Sequence, residues 1–192
     1  MRRLILIEYV SLDGVVQAPG HAQEDRAGDF ARGGWTGPFM ESHGRYMREA
    51  LNPMGALLLG RLTYEIWAGY WPTVADPADE IARMLNAVPK YVVSRTLREG
   101  SWPTTTIIDE VPRQVPELKR QEGKDIVVMG SSQLSQTLMQ HELVDEYRLM
   151  LHPVVLGTGK RLFREGGPAE TLRLIDATTT TSGLVTLTYE RD

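Results

Sequence analysis

The chain has 192 residues, 42% of them apolar and 24% charged, which is the size and balance of one globular domain able to bury a core. A net charge of −4 argues against a broad basic surface for nucleic acid, and the absence of cysteine excludes disulfides, cysteine-ligated zinc, iron–sulfur clusters and thiol nucleophiles. No apolar run approaches the roughly 20 residues that span a bilayer.

The start, MRRLILIEYVSLDG, is basic and then apolar, as a signal peptide is. Its apolar stretch is short, Glu8 interrupts it and no small-residue cleavage site follows, so Leu4–Val10 reads as a strand covered on both faces and the protein as cytoplasmic. Asp13-Gly14 breaks the strand. From Val15 to Pro38 the chain is rich in Gly, Pro and charge without a clear period, the pattern of either a binding loop or lid or a solvated excursion. Met40, His43, Met47, Ala50 and Leu51 lie at helical spacing, and Asn52-Pro53 ends that helix. Ala56–Leu59 is a short buried strand stopped at Gly60, followed by a helical stripe through Leu62, Ile66, Gly69 and Tyr70. Asp76-Pro77-Ala78-Asp79-Glu80 combines cap, proline and acidic first turn, and predicts a helix whose apolar face is Ile81, Met84, Leu85 and Val88. Tyr91–Val93 and Thr104–Ile108 read as strands, Pro112–Gln121 as a helix, Asp125–Met129 as a buried strand and Ser131–Gln140 as a helix. Tyr147–Leu156 reads as a long strand interrupted by Pro153, and Thr171–Tyr189 as two strands about Ser182-Gly183. Strands alternate with helices and then give way to strands. The expectation is a single α/β domain over residues 1–192, with a mainly parallel mixed sheet finished by antiparallel strands at one edge.

Three segments share a design in which a short buried strand runs into a tight Gly or Ser turn and then hydroxyl or basic residues. They are LLLGRLTYE (Leu57–Glu65), YVVSRTL (Tyr91–Leu97) and IVVMGSSQL (Ile126–Leu134). Ligands of open α/β sheets bind at the carboxyl ends of strands, and helix N-termini there offer free N–H groups to phosphate. Each turn alone is ordinary turn chemistry. Three together point to a nucleotide with several phosphates.

GRLTYE resembles the Gly-Arg-x-Thr-Trp/Tyr-Glu signature of the dihydrofolate reductase fold, VVSRT its strand ending in a Ser/Arg pair, and IVVMGSSQL its Gly-Gly turn and following helix. The opening SLDG (Ser11–Gly14) and the later LGTGKRLF are closer to one branch, the reductase domain of riboflavin biosynthesis and its stand-alone relatives. The resemblance runs from Met1 to about Phe163. It implies a three-layer α/β/α sandwich, a homodimer and NADPH as cofactor. Gly60, Arg61 and Thr63 would meet the cofactor's phosphates, Ser94 and Arg95 its 2′-phosphate, and Gly130, Ser131 and Ser132 the pyrophosphate. Ser131 departs from the family's second glycine. On the acceptor side the resemblance offers Asp13, from SLDG, to hold a sugar or assist proton delivery, beside its plain reading as an Asp-Gly turn. Trp35 is a candidate to close over a flat heterocycle or to anchor the loop, while Glu41 and Gln17 are candidate substrate contacts. The implied reaction is hydride transfer to a C=N or C=O of a small heterocycle, such as a ribosylamino-pyrimidine. A pterin reductase and a non-catalytic nucleotide-binding dimer are the alternatives.

Several motifs are incomplete. Gly157-Thr158-Gly159-Lys160 lacks the first glycine and the final Ser/Thr of a phosphate-binding loop, and His141–Asp145 misses the last histidine of HExxH. The four histidines are scattered without ligand spacing, so no metal is expected, and no Gly-x-Ser-x-Gly elbow or basic–aromatic stripe occurs.

Overall fold

Along β1 (Leu4–Ser11) side chains leave alternately to two faces, and both are covered. Leu4, Leu6 and Val10 enter one core, while Ile5 and Ile7 enter the other. An apolar run without polar alternation is the signature of such a doubly covered strand. The remaining strands are β2 (Met54–Gly60), β3 (Lys90–Val93), β4 (Thr105–Ile108), β5 (Asp125–Met129), β6 (Glu146–His152), β7 (Leu172–Thr179) and β8 (Val185–Arg191). The computed structural model, which describes residues 1–192, joins all eight in one sheet of order β4-β3-β2-β5-β1-β6-β8-β7. From β4 to β6 every pairing is parallel, and β8 and β7 add antiparallel. The α/β sandwich with an antiparallel edge is therefore as expected.

Five helices complete the layers: α1 (Met40–Leu51), α2 (Arg61–Ala68), α3 (Glu80–Ala87), α4 (Val111–Arg120) and α5 (Ser132–Gln140). Val111, Val115 and Leu118 of α4 and Leu134, Leu138 and Met139 of α5 pack with Leu4, Leu6, Ile126 and Val128. On the other face Met47 and Leu51 of α1, Tyr64 of α2 and Leu85 of α3 pack with Ile5, Ile7, Leu57 and Leu59. Each fully buried Leu, Ile or Val contributes about 1.5–3 kcal/mol, so the central strands are firmly held and their carboxyl ends form a stable edge.

Three boundaries differ from the sequence reading. β6 stops at His152, because Pro153 has no N–H for the ladder, and Val154 N–H then donates to the His152 carbonyl (2.8 Å) in a tight turn. The helix expected from Asp76 starts at Glu80: Asp79 is its N-cap, accepting from Ala82 N–H (2.9 Å), while Asp76 organises the preceding turn through Ala78 N–H (2.9 Å). Ser131 is the N-cap of α5 and not its first residue.

The segment 15–38 is neither a bare excursion nor a loose flap. Val15, Ala18, Phe30, Trp35 and Leu156 make a small core of their own. In the GTGK stretch Gly159, at φ +119°, passes so close that a Cβ would lie 2.7 Å from Val15 Cγ1 and 2.8 Å from Phe30 Cε2.

Candidate functional site

Because β3, β2, β5 and β1 are parallel neighbours, their carboxyl ends line one edge of the sheet. A cleft of about 550 Å³ opens there. Its wall takes Val93 from the end of β3, Gly60, Arg61 and Thr63 from the β2–α2 turn, and Gly130, Ser131 and Ser132 from the β5–α5 turn. Beyond β1 it is closed by residues 16–19, Glu24, Asp25 and Lys160. Two of the three strand-end turns singled out in the sequence thus meet in one place, and the third borders it.

The β2 and β5 turns are tied together. Gly60 N–H donates to Ser131 Oγ (2.9 Å), and Ser131 Oγ–H donates to Thr63 Oγ1 (3.0 Å). Ser131 has a left-handed backbone, φ +64°, following Gly130 at φ +61°. Ser131 therefore turns its side chain toward the β2 turn as a clasp. Neither α2 nor α5 has a side-chain cap on its N-terminus, in contrast to α3, so first-turn N–H groups of both helices remain available to a ligand.

Arg61 pairs with Glu65 (2.7 Å) and also donates to Thr96 Oγ1, which joins the cleft to the turn after β3. In that turn Ser94 is buried, its Oγ accepting the N–H groups of Thr96 (3.2 Å) and Leu97 (2.9 Å), while Arg95 is exposed. Ser94 and Arg95 lie just outside the cleft lining, at its β3 end.

The candidate acceptor-side residues are not gathered at one point. Of the four, Gln17 alone lines the cleft, and its amide is fully engaged: Nε2 donates to the carbonyls of Asp25 (3.1 Å) and Ala27 (2.9 Å), and Oε1 accepts Lys160 N–H (3.0 Å). Trp35 is buried in the loop's own core with Nε1 donating to the Gln17 carbonyl (2.9 Å), which is the anchoring role and not a cover over a ligand. Glu41 is exposed on the first turn of α1, away from the cleft. Asp13 accepts Ser11 Oγ–H (2.7 Å), Leu156 N–H (3.0 Å) and Gly157 N–H (2.8 Å). Burial works to raise its carboxyl, but these hydrogen bonds outweigh it and hold the group down at about 2. Asp13 thereby clips the β1 exit to the 156–157 turn, outside the cleft lining.

The sequence reading missed Glu24, Asp25, Lys160 and Glu8. Lys160 is ion-paired to Asp25. Glu8 is completely buried in β1, accepts only the Ser135 hydroxyl (3.1 Å), and is pushed up to about 8 by burial. A charged residue inside an otherwise apolar strand was the one available signal for it. On the other face of the sheet a second buried polar group joins His43 Nε2 to His152 Nε2 (3.0 Å), with Tyr9 stacked on His43 at 4.8 Å between centroids.

Comparison with known proteins places this architecture. The family model described as the RibD C-terminal domain matches residues 2–186. The chain belongs to the RibD C-terminal domain family. Its similarity to the Bacillus subtilis protein YyaP is 33% identity over 190 residues, 98% of this chain and 94% of YyaP. With YwjB of the same organism it shares 28% identity over 174 residues, 90% of this chain and 89% of YwjB. Both are uncharacterised. Among solved structures it is similar to a Shewanella sp. PV-4 protein assigned by name to riboflavin biosynthesis, with TM-score 0.68, 18% identity and 99% of each chain covered. A pyrimidine reductase-like protein of Corynebacterium diphtheriae aligns with TM-score 0.63 and 12% identity, over all of this chain and 92% of that one. At those identities the likeness is one of fold. In this RibD C-terminal domain no helix is long and apolar enough to cross a membrane.

Proposed function

We propose that this RibD C-terminal domain is an NADPH-dependent reductase of a small heterocyclic substrate, resembling the pyrimidine reductase step of riboflavin synthesis in its chemistry. The observation that carries the reading is the meeting of two uncapped helix N-termini, from the β2 and β5 turns, in one cleft at the carboxyl edge of a parallel sheet. The residues present fit a dinucleotide. The α5 start, with Ser132, and the α2 start, with Thr63, would hold the pyrophosphate. The exposed Arg95 and the Ser94 turn would take the 2′-phosphate, and the exposed Leu62 and Ile66 on α2 offer apolar surface beside them. When bound, the cofactor supplies a hydride from its nicotinamide ring to a C=N or C=O carbon. The protein's part is to hold donor and acceptor in contact and to exclude water. The same reading includes a second copy of the chain at the β7 edge, where Leu174 and Ile175 are exposed.

Thermal unfolding with NADPH, with NADH and without ligand tests this. At about 100 times its Kd a cofactor adds roughly 2.7 kcal/mol, a rise of about 5–10 °C for this size of domain. NADPH is expected to raise the midpoint more than NADH, and Arg95→Ala to remove that preference, since a charge-assisted phosphate bond contributes about 1.5–3 kcal/mol. No shift with either dinucleotide would refute the reductase reading in favour of a scaffold. Equal weakening of both by Arg95→Ala would refute the role of Arg95.

A further inference from the structure

The strand order gives the cleft a direction. The uncapped helix starts follow β2 and β5, Val93 marks the β3 end, and beyond β1 the wall is residues 16–19, Glu24, Asp25 and Lys160. With phosphates on the β2 and β5 turns and the 2′-phosphate toward β3, the reacting ring and its acceptor lie at the β1 end. The inference rests on the reductase reading for this orientation. A reduction of C=N or C=O needs a proton as well as a hydride, and Asp13 is outside this part of the wall with its carboxylate held ionised by hydrogen bonds.

Two adjacent carboxyls at the β1 end have opposite surroundings. Asp25 is paired with Lys160 and also accepts Ala27 N–H (3.0 Å); burial works upward on it, but Lys160 prevails and the carboxyl is held below its ordinary range. Glu24 has no cation partner. It accepts only the neutral N–H groups of Gly20 (2.8 Å) and His21 (3.2 Å), both on Oε2. Burial raises its carboxyl by more than those two bonds lower it. The charged and titratable groups around it are His21 and Asp25 on its own loop, Glu8 behind it on β1, and Lys160, already committed to Asp25. No unpaired positive charge faces Glu24 from the sheet. A neighbouring pair of carboxyls pushed apart in this way divides the work between one that stays ionised and one that can carry a proton.

We propose that Glu24 is the proton donor of the reduction, with the Asp25–Lys160 pair fixing the loop that presents it. As the acceptor carbon takes the hydride, its π pair moves to the nitrogen or oxygen, which takes the proton from the Glu24 carboxyl. The acceptor is reduced by two electrons and the dihydronicotinamide is oxidised. Glu24 is left as a carboxylate facing the positive charge of the oxidised ring, and reloads its proton from water.

Two measurements decide the assignment without any acceptor. The first is an NMR titration of the ¹³C-labelled glutamate carboxyls in the ligand-free protein, wild type against Glu24→Gln, whose amide oxygen can still accept the Gly20 and His21 N–H groups. A resonance missing from the variant is expected to titrate above the ordinary glutamate range; one that titrates within or below that range overturns the proposal. The second is the affinity for NADP⁺ and NADPH between pH 5 and 9. NADP⁺ is expected to bind more tightly as pH rises, by up to about tenfold per pH unit while Glu24 is protonated, because its positive ring favours the carboxylate. NADPH should lack that slope, and Glu24→Gln should flatten it. An unchanged slope in the variant overturns the assignment while leaving the cofactor reading intact. Binding of neither dinucleotide at any pH overturns the reductase reading, and the proton-donor role with it.

Discussion

Ser131 ties the β5 turn to the β2 turn from a left-handed backbone, and that geometry ranks two small substitutions. In Ser131→Ala the left-handed backbone at φ +64° is kept, but Gly60 N–H loses its acceptor and Thr63 Oγ1 its donor. Orphaning a buried donor costs about 1–3 kcal/mol, and both bonds are only partly buried, so about 1–2 kcal/mol is expected. Ser131→Gly loses the same bonds. It also removes a Cβ from the left-handed region, which recovers about 1–2 kcal/mol, less about 0.5–1 kcal/mol for glycine's greater freedom in the unfolded chain. Glycine should therefore be the more stable of the two variants by about 1 kcal/mol or less. For a domain of this size 1 kcal/mol is about 2–4 °C. Thermal and urea unfolding of both variants is expected to place Ser131→Ala about 2–8 °C below wild type and Ser131→Gly between the two. A Ser131→Ala protein as stable as wild type, or a Ser131→Gly protein less stable than Ser131→Ala, would refute the clasp.

Two predictions concern buried titratable groups. Glu8 has a folded-state value of about 8 against an unfolded 4.5, so the folded state holds its proton more tightly. The stability this confers is full below pH 4.5 and is lost as pH rises toward 8, by about 3–5 kcal/mol in all. In urea titrations Glu8→Gln should lack this decline, and parallel pH curves for the two proteins would refute it. In the histidine pair, His152 Nδ1 faces the Met150 carbonyl (2.9 Å), which only accepts; this makes His152 the Nδ1–H tautomer and His43 the Nε2–H donor to its bare Nε2. Burial lowers both, His43 to about 4, so stability present above pH 6.5 should be lost by about 2–3 kcal/mol as pH falls toward 4. ¹⁵N-histidine spectra at pH 6 should show those two neutral tautomers; rings already protonated there would refute the assignment.

Much of the fold was legible because it is written in local order. The doubly covered strands β1, β2 and β5 appear as apolar runs, broken only by Glu8 in β1, α1 as a helical stripe with matching bounds, and the three strand-end turns as Gly and Ser after β2, β3 and β5. Where two signals compete locally, the boundary was misread. Asp76 and Asp79 are both good caps, and the one whose side chain reaches an N–H three residues on decides the helix. The strand-end turns were legible because a turn's backbone is set by its own residues. The β1 end of the cleft was not. Glu24 and Asp25 lie in a stretch without period, and Lys160 follows them by more than a hundred residues.

Local order in the chain is enough to show which segments are strands and helices, that they alternate into a parallel sheet, and which three strand ends run into Gly or Ser turns followed by hydroxyl or basic residues. Periodicity, capping and turn geometry act over a few residues, so they survive in a one-dimensional reading. Chain packing alone shows which of those turns meet, that Ser131 clasps Gly60 and Thr63 across the sheet, that Asp13 and Trp35 are spent on holding the loop, and that Glu24 stands without a cation while Asp25 has one. The physical reason is that burial and charge pairing are properties of neighbours in space. A carboxyl's chemistry is set by the atoms packed around it, and in this chain those atoms come from β1, the 15–38 loop and residues 157–161 together.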